Sequence, residues 1–388
     1  MTLRIVVNLL HSPAQLTGTG RYAREMVRAL AALPEQPEII GIVSTENSEA
    51  FRLELMPANL RLVKWGRPWR DVMKRRLEEW IWLEEFIREL KPDVFWGPTN
   101  FLPLMLFRKP CPSVVTVHDM TFFRHPDSIG RLRGTYWRRW TRRTLRVADR
   151  IVTVSHAAAE EIAEYGGVDI SRIDVVPNGV DEGFFRAAGD ETRLEALRRE
   201  LPFLPGNYIL FVGTLTQHKN LPRLVGALAR LRSMPGCEDA QLVLAGKRGE
   251  GYEKIARAIH RNGLEKAVVE LGFVQDELLP ALYAGARLAV LPSLNEGFGL
   301  PIIEAMATGT PVVTSNTGAM AEVGRDCAIL VDVNKKSAIA GGLADLWRDD
   351  GLHERLRKMG MARARDFTWC NAAQQLFRIL QEAAADRS

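Results

Sequence analysis

The stretch ARLAVLPSLNEGFGLPIIEAMATGTPVV, residues 286–313, reads as strand, loop, helix-length segment and strand. ARLAVLPS is an apolar run of strand length, and TPVV has the β-branched character of the next strand. Between them Gly297 and Gly299 let the backbone bend sharply, and Pro301 stands where proline is tolerated, at the first helical position. Backbone N–H groups at such a helix start can hold an anion, and a pyrophosphate fits there. Glu304 is placed by this reading in the first turn, where a carboxylate favours the helix dipole and can also accept two hydrogen bonds from a ribose diol. Glu296 precedes the glycines and would face whatever is attached beyond the phosphates. Taken alone, the stretch equally fits a capped helix after an ordinary loop.

The same alternation extends outward in both directions. LRIVVNL, EIIGIV, DVFWGP, SVVTVHD and RIVTVS are strand-like runs in the first half, separated by longer amphipathic stretches; YILFVGT, AQLVLAG, AVVELGF, ARLAVLPS and TPVVTSN restart the pattern in the second. Strands spaced by helical segments imply βαβ units and a parallel sheet. With 388 residues the chain has room for two such sheets in series. VVPNGVDEGFFRAAG, residues 175–189, marks the join, because Pro177, Asn178 and Gly179 break regular structure. Ligands of open α/β sheets bind outside the carboxyl ends of the strands, and two facing domains would enclose a cleft.

Three further segments follow strands. FVGTLTQHKNLPRLVGAL, residues 211–228, puts Lys219 just before or within the first turn of a helix. A cation there is opposed by the helix dipole, by roughly 0.3 to 1 kcal/mol, so an anion should offset it: a bound diphosphate, or merely a nearby acid. SPAQLTGTGRYAREMV brings Gly18, Thr19 and Gly20 before a helix, allowing close backbone approach to a ligand, although a lone Gly-x-Gly is a weak signal. SVVTVHDMTFF ends a strand at His118 and Asp119, and a histidine so placed is a candidate for sugar contact or a residue accommodated structurally.

Composition bounds the function. Hydrophobic residues make up 46% and charged residues 26%, as in folded globular chains. Apolar runs fall short of the ~18 residues a membrane helix needs, and MTLRIVVNLLHS reads as a first strand rather than a signal peptide. Cys111, Cys237, Cys327 and Cys370 lack paired spacing, which fits a reducing compartment and argues against zinc. A cytoplasmic location is expected. The net charge of +5 comes from residues 1–178, with 26 Lys and Arg against 21 Asp and Glu; residues 179–388 carry 26 of each. RLRGTYWRRWTRRTLRVADR, residues 131–150, holds eight arginines and one acid. Such a run is either a solvated face or an attraction for phosphates, and Trp137 and Trp140 among the arginines suit a membrane–water interface.

In this order the motifs resemble the retaining GT-B glycosyltransferases of family 4. The resemblance runs from the glycines at 18–20 through TVHDMTFFRHPD, ADRIVTVSHAAAEEI, VVPNGVD, FVGTLTQHKN and VLPSLNEGFGLPIIEAMATGTPVV to RDFTW. It implies an α/β GT-B fold of two Rossmann-like domains with a cleft between them: residues 1–178 binding acceptor, 179–366 binding nucleotide sugar, and a C-terminal helix, 367–388, crossing back to the first domain. It also implies that Glu304 contacts ribose, that Glu296 faces the donor sugar's hydroxyls, and that Lys219 holds the diphosphate with Gly297, Phe298, Gly299 and Leu300 adding backbone contacts. Val274 falls where backbone groups meet the base, His118 near the transferred sugar, and Gly18, Thr19 and Gly20 near the phosphates and acceptor. Two positions depart from the family pattern: Thr214 and His218 stand where relatives often carry arginine, so no second fixed cation on the phosphates is assured.

The implied reaction transfers a hexose to an acceptor hydroxyl with retention, through an oxocarbenium-like transition state while charge grows on the leaving diphosphate. No Asp-x-Asp pair occurs, so neither a metal nor another cofactor is expected. TVHDMTFFRHPD and VGTLTQHKN look most like bacterial O-antigen or exopolysaccharide mannosyltransferases. The expected donor is therefore GDP-mannose and the acceptor a polyprenyl-diphosphate-linked saccharide, with peripheral attachment to an anionic membrane through residues 131–150 and also 67–82. A UDP-hexose donor or a GT-B sugar-nucleotide epimerase are the alternatives. Nucleic acid is not an expected partner, because the second half is charge-neutral.

Overall fold

The computed structural model describes residues 2–12, 18–51, 56–65, 83–102, 109–124 and 131–386. The chain forms two compact units, Met1–Gly179 with Trp369–Ser388, and Val180–Thr368. The first holds a parallel sheet of β1 (Arg4–Asn8), β2 (Glu38–Val43), β3 (Leu60–Lys64), β4 (Val94–Gly97), β5 (Ser113–Thr116), β6 (Arg150–Thr153) and β7 (Ile173–Val175), in the order β3-β2-β1-β4-β5-β6-β7. Helices cover a parallel sheet on both faces, so its central strands read as unbroken apolar runs. Accordingly Ile5, Val6, Val7, Phe95, Trp96, Val114, Val115, Ile151 and Val152 are fully buried. Each such side chain contributes about 1.5–3 kcal/mol of burial.

The second unit repeats the plan with β8 (Ile209–Val212), β9 (Leu242–Ala245), β10 (Val268–Gly272), β11 (Leu288–Leu291), β12 (Val312–Ser315) and β13 (Ile329–Val331), in the order β10-β9-β8-β11-β12-β13. Both sheets reverse direction once, between β1 and β4 in the first and between β8 and β11 in the second. A doubly wound sheet opens a crevice at such a point, outside the carboxyl ends of its strands. Two Rossmann-like domains are thus present. The alternation of the sequence had no place for β3 or β13: Arg61 and Lys64 interrupt the apolar run of the edge strand β3, and β13 is three residues long.

The helix Trp369–Ala385 belongs to the first unit and packs on the helix Gly18–Ala31 and on β4. Its buried residues Trp369, Ala372, Ala373, Leu376, Phe377 and Leu380 recur at helical spacing and form one apolar stripe. The Trp369 ring meets Tyr22 at 6.0 Å, and Glu382 pairs with Arg150 at 3.1 Å.

The helix Arg131–Val147 requires a correction. Its tryptophans and arginines do not share an outward face: Trp140 is buried and Trp137 half-buried, both against Phe101, whereas Arg139, Arg142 and Arg146 are exposed. The reason is helical spacing, which carries Trp140, Thr141, Thr144 and Leu145 together onto the sheet side. Residues 67–82 lie outside the described residues. Among those described, no helix is long and apolar enough to cross a membrane.

Candidate active site

Within the second unit, Lys219 and Glu296 come together at the point where the strand order reverses. Lys219 ends a single 3-10 turn, Gln217–Lys219, between β8 and the helix Leu221–Arg232. Glu296 lies in the loop after β11, before the helix Leu300–Ala307. Lys219 Nζ donates to Glu296 Oε1, and both side chains are largely buried. Burial alone would raise the Glu296 carboxyl, but the Lys219 ammonium beside it, with smaller help from the Ser293 hydroxyl and His218, reverses this and holds it below the usual carboxylate range. Glu296 is therefore an anion at neutral pH.

Asn220 holds the two loops at this spacing. It sits in the left-handed region at φ 61°, caps the Leu221–Arg232 helix, and donates from Nδ2 to the carbonyls of Pro292 (3.1 Å) and Val333 (2.9 Å). Leu294 N–H donates to the His218 carbonyl at 3.0 Å, closing the same bridge. Asparagine tolerates this conformation because its short amide can bond locally. Asn220 is not among the site residues expected from the sequence, although an Asn directly before a helix starting Leu-Pro is a signal for it.

The glycine turn forms as the residues suggest. Gly299 caps the Leu300–Ala307 helix at φ 98°, where a Cβ would stand 3.0 Å from Ile302 Cδ1, so glycine is required. Leu300 opens the helix and Pro301 follows within its first turn. Phe298 is buried against Phe367 with ring centroids 5.6 Å apart, which leaves its backbone, with that of Gly297 and Gly299, as the part able to meet a ligand. Thr214 is exposed just past β8, and Val274 is half-buried just past β10. All these positions lie at the carboxyl ends of their strands.

Glu304 departs from the expected place. The helix starts at Leu300, so Glu304 lies beyond the first turn, and it is 5% exposed. It gains little from the dipole, which falls off within that turn. Its tie is to Tyr283, whose buried hydroxyl donates to Glu304 Oε2 at 2.9 Å. Tyr283 too escaped the sequence reading, because nothing local marks a tyrosine as the partner of a carboxylate 21 residues on. Tyr283→Phe removes that donor from a buried acceptor and should lower stability by about 1–3 kcal/mol. Thermal unfolding of the variant checks this; an unchanged midpoint would show that the hydroxyl is not what holds Glu304.

In the first unit, the Gly18–Ala31 helix starts at Gly18 itself, so Gly18, Thr19 and Gly20 form its first turn rather than a loop before it. A Cβ at Gly18 would meet nothing within 4 Å. His118 follows β5 and is 6% exposed. Its Nε2 bonds the Pro98 carbonyl at 2.8 Å, and a carbonyl only accepts, so Nε2 carries the proton and Nδ1 is an acceptor. Burial pushes the imidazole below its ordinary value, partly countered by the Pro98 bond and Asp119, so the ring is neutral at pH 7. Its Nδ1 can accept a hydrogen bond from a hydroxyl.

Among the described residues no group of three His, Cys, Asp or Glu could hold a metal ion. The second unit's crevice thus combines a buried cation–anion pair with a glycine-capped helix start. Residues 194–363 match the model of glycosyl transferases group 1, and residues 16–184 match Glycosyltransferase Family 4. The O-antigen chain mannosyltransferase B of Escherichia coli is 31% identical over 93% of this chain and 94% of its own. The MMP alpha-(1->4)-mannosyltransferase of Mycolicibacterium hassiacum is 33% identical over 71% of this chain and 66% of its own. Among solved structures, the sucrose-phosphate synthase of Thermosynechococcus elongatus superposes with a TM-score of 0.80 at 20% identity, covering 99% of this chain and 100% of its own. The chain belongs to the family 4 glycosyltransferases, enzymes of the GT-B fold that transfer hexoses.

Proposed function

We propose that the enzyme transfers mannose from GDP-mannose to a hydroxyl of a lipid-linked saccharide, with the anomeric configuration retained, in the synthesis of a bacterial surface polysaccharide. The observation that carries this reading is the buried Lys219–Glu296 pair beside the Gly297–Leu300 turn, at the reversal point of the second sheet. In it Lys219 and the helix-start amides stabilise the departing diphosphate, while Glu296 binds hydroxyls of the sugar ring, which gains positive character. Glu304 accepts from the ribose, Thr214 flanks the diphosphate and the Val274 backbone meets the base. His118 accepts a sugar hydroxyl through Nδ1, and the Gly18–Gly20 turn serves the phosphates and acceptor. The likeness to a mannosyltransferase along nearly the whole chain supports the choice of sugar.

On this reading protein groups neutralise the diphosphate and no divalent ion takes part. A thermal-shift series checks both points. GDP-mannose at ~100 times its Kd should stabilise the protein by about 2.7 kcal/mol, more than UDP-hexoses at the same concentration and equally with EDTA present. A shift only with UDP-hexoses would reassign the donor, and a shift abolished by EDTA would overturn the metal-free reading. Donor incubated without acceptor should keep its sugar unchanged; an epimerised product would make the protein an epimerase.

The proposed location is the cytoplasmic face of the membrane. Exposed Arg139, Arg142 and Arg146 on the Arg131–Val147 helix support this through attraction to anionic lipid, each worth about 1 kcal/mol near the surface. The protein should co-sediment with anionic vesicles at low salt and be released by high salt; salt-independent absence of binding would refute it.

A further inference from the structure

The first unit carries, at its own reversal point, a set of polar atoms the fold does not use. Asn8 ends β1, Ser12 lies four residues on, and Thr99 follows β4; Asn8 Nδ2, Ser12 Oγ and Thr99 Oγ1 are buried without a hydrogen-bond partner. Asn8 and Ser12 are 1% and 4% exposed. Buried polar groups are normally paired, and each orphan costs about as much as a broken hydrogen bond. β1 and β4 are neighbours, with Val7 opposite Trp96, so the three atoms follow the two strands that flank the reversal. Residues 9–12, directly after β1, are held in place: Asn47 Nδ2 donates to the carbonyls of Leu9 (2.8 Å) and Ser12 (2.7 Å), and Ser44 N–H donates to Asn47 Oδ1 at 2.9 Å.

Residues next to these along the chain carry aromatic rings, His11 before Ser12 and Phe101 two residues past Thr99. His11 meets Phe101 edge-on with centroids 4.8 Å apart, Phe101 meets Trp137 at 6.2 Å, and Trp137 meets Tyr136 at 5.7 Å. His11, Tyr136 and Trp137 are half-buried. Neutral donors and hydroxyls beside an aromatic wall match one class of ligand. A phosphate would call for charge-assisted donors and an apolar ligand would leave the orphans unpaired, whereas a pyranose offers hydroxyls to the polar atoms and a C–H face to the rings.

We propose that Asn8, Ser12 and Thr99, with the Trp137–Tyr136 ring face, form the subsite that holds a pyranose ring of the acceptor saccharide. The proposal rests on the glycosyltransferase reading for the word acceptor; the pyranose site itself does not need it. The arginine-rich helix then has two roles on two faces, sugar inward and solvent or lipid outward.

The test uses the full chain without nucleotide and saturation-transfer NMR with the methyl glycosides of mannose, glucose, galactose and N-acetylglucosamine. At least one should receive saturation at its ring C–H protons. Thr99→Val and Ser12→Ala should each weaken that binding about two- to tenfold. Since each removes an unpaired buried hydroxyl, neither should lower the melting temperature, which a purely structural hydroxyl would do. Trp137→Ala should weaken binding by about tenfold or more. No transfer to any glycoside, or transfer unaffected by Thr99→Val and Ser12→Ala, overturns the proposal. Donor binding is read separately by thermal shift with GDP-mannose, so glycoside binding without a donor shift counts against the donor reading alone.

Discussion

Glu296→Gln should lower turnover by about 10²–10³-fold while the variant binds nucleoside diphosphate as tightly as the parent, or more tightly. The two effects have opposite signs because Glu296 has two neighbours in view. Toward the sugar, its charge strengthens hydrogen bonds as the ring becomes oxocarbenium-like, and the neutral amide loses that gain. Toward Lys219, its charge competes with the incoming diphosphate, since Lys219 already donates to Glu296 Oε1. Removing the charge leaves the ammonium uncompensated in a site that is largely shielded from solvent. GDP affinity should then rise by up to about tenfold, or ~1.4 kcal/mol. Isothermal titration with GDP and steady-state rates with GDP-mannose give the two readouts. If GDP binding and turnover fall together, Glu296 acts only to hold the loop.

Lys219→Ala should weaken GDP binding by about 10²-fold and also destabilise the fold by about 1–3 kcal/mol at neutral pH. The stability part has a sign that pH reveals. In the parent, Glu296 is held below the usual carboxylate range, so its favourable contribution is present at neutral pH and fades as pH falls through that depressed value. Without Lys219, burial is opposed only by the Ser293 hydroxyl and the nearby His218, and should lift the carboxyl above its unfolded value of about 4.3. The variant's deficit is then full at neutral pH and shrinks as pH falls through the raised value, where Glu296 becomes a neutral acid. Urea unfolding of both proteins at pH 8 and pH 5 should show the gap narrowing at the lower pH. A gap independent of pH would mean that the lysine's packing, not its charge, matters to stability.

How far the site is legible in the sequence depends on the range of each interaction. The turn at Gly297–Leu300, the proline at the helix start and the strand before them are readable because each rests on backbone preferences a few residues wide. Lys219 is readable as an ill-placed cation, but whether an acid or a ligand offsets it is not, since the acid is 77 residues away. Glu304 is readable as a carboxylate on the right helix, but its partner Tyr283 and its place past the first turn depend on where that helix begins in space. The faces of the Arg131–Val147 helix misled for the same reason. Composition mixed Trp with Arg, and only the sheet beneath decided which of them turned inward.

By itself the sequence determined the alternation of strands and helices, the two-domain plan and the chemical groups placed after the strands, because periodicity and turn propensity are local. Only the tertiary structure decided that β8 lies beside β11 and β1 beside β4, out of chain order. That decision brings scattered residues together: it joins Lys219 to Glu296 and sets the unused polar atoms of Asn8, Ser12 and Thr99 at and beyond the carboxyl ends of neighbouring strands. Strand order is settled by which apolar faces can be buried together, a property of the whole sheet that no short stretch of chain carries.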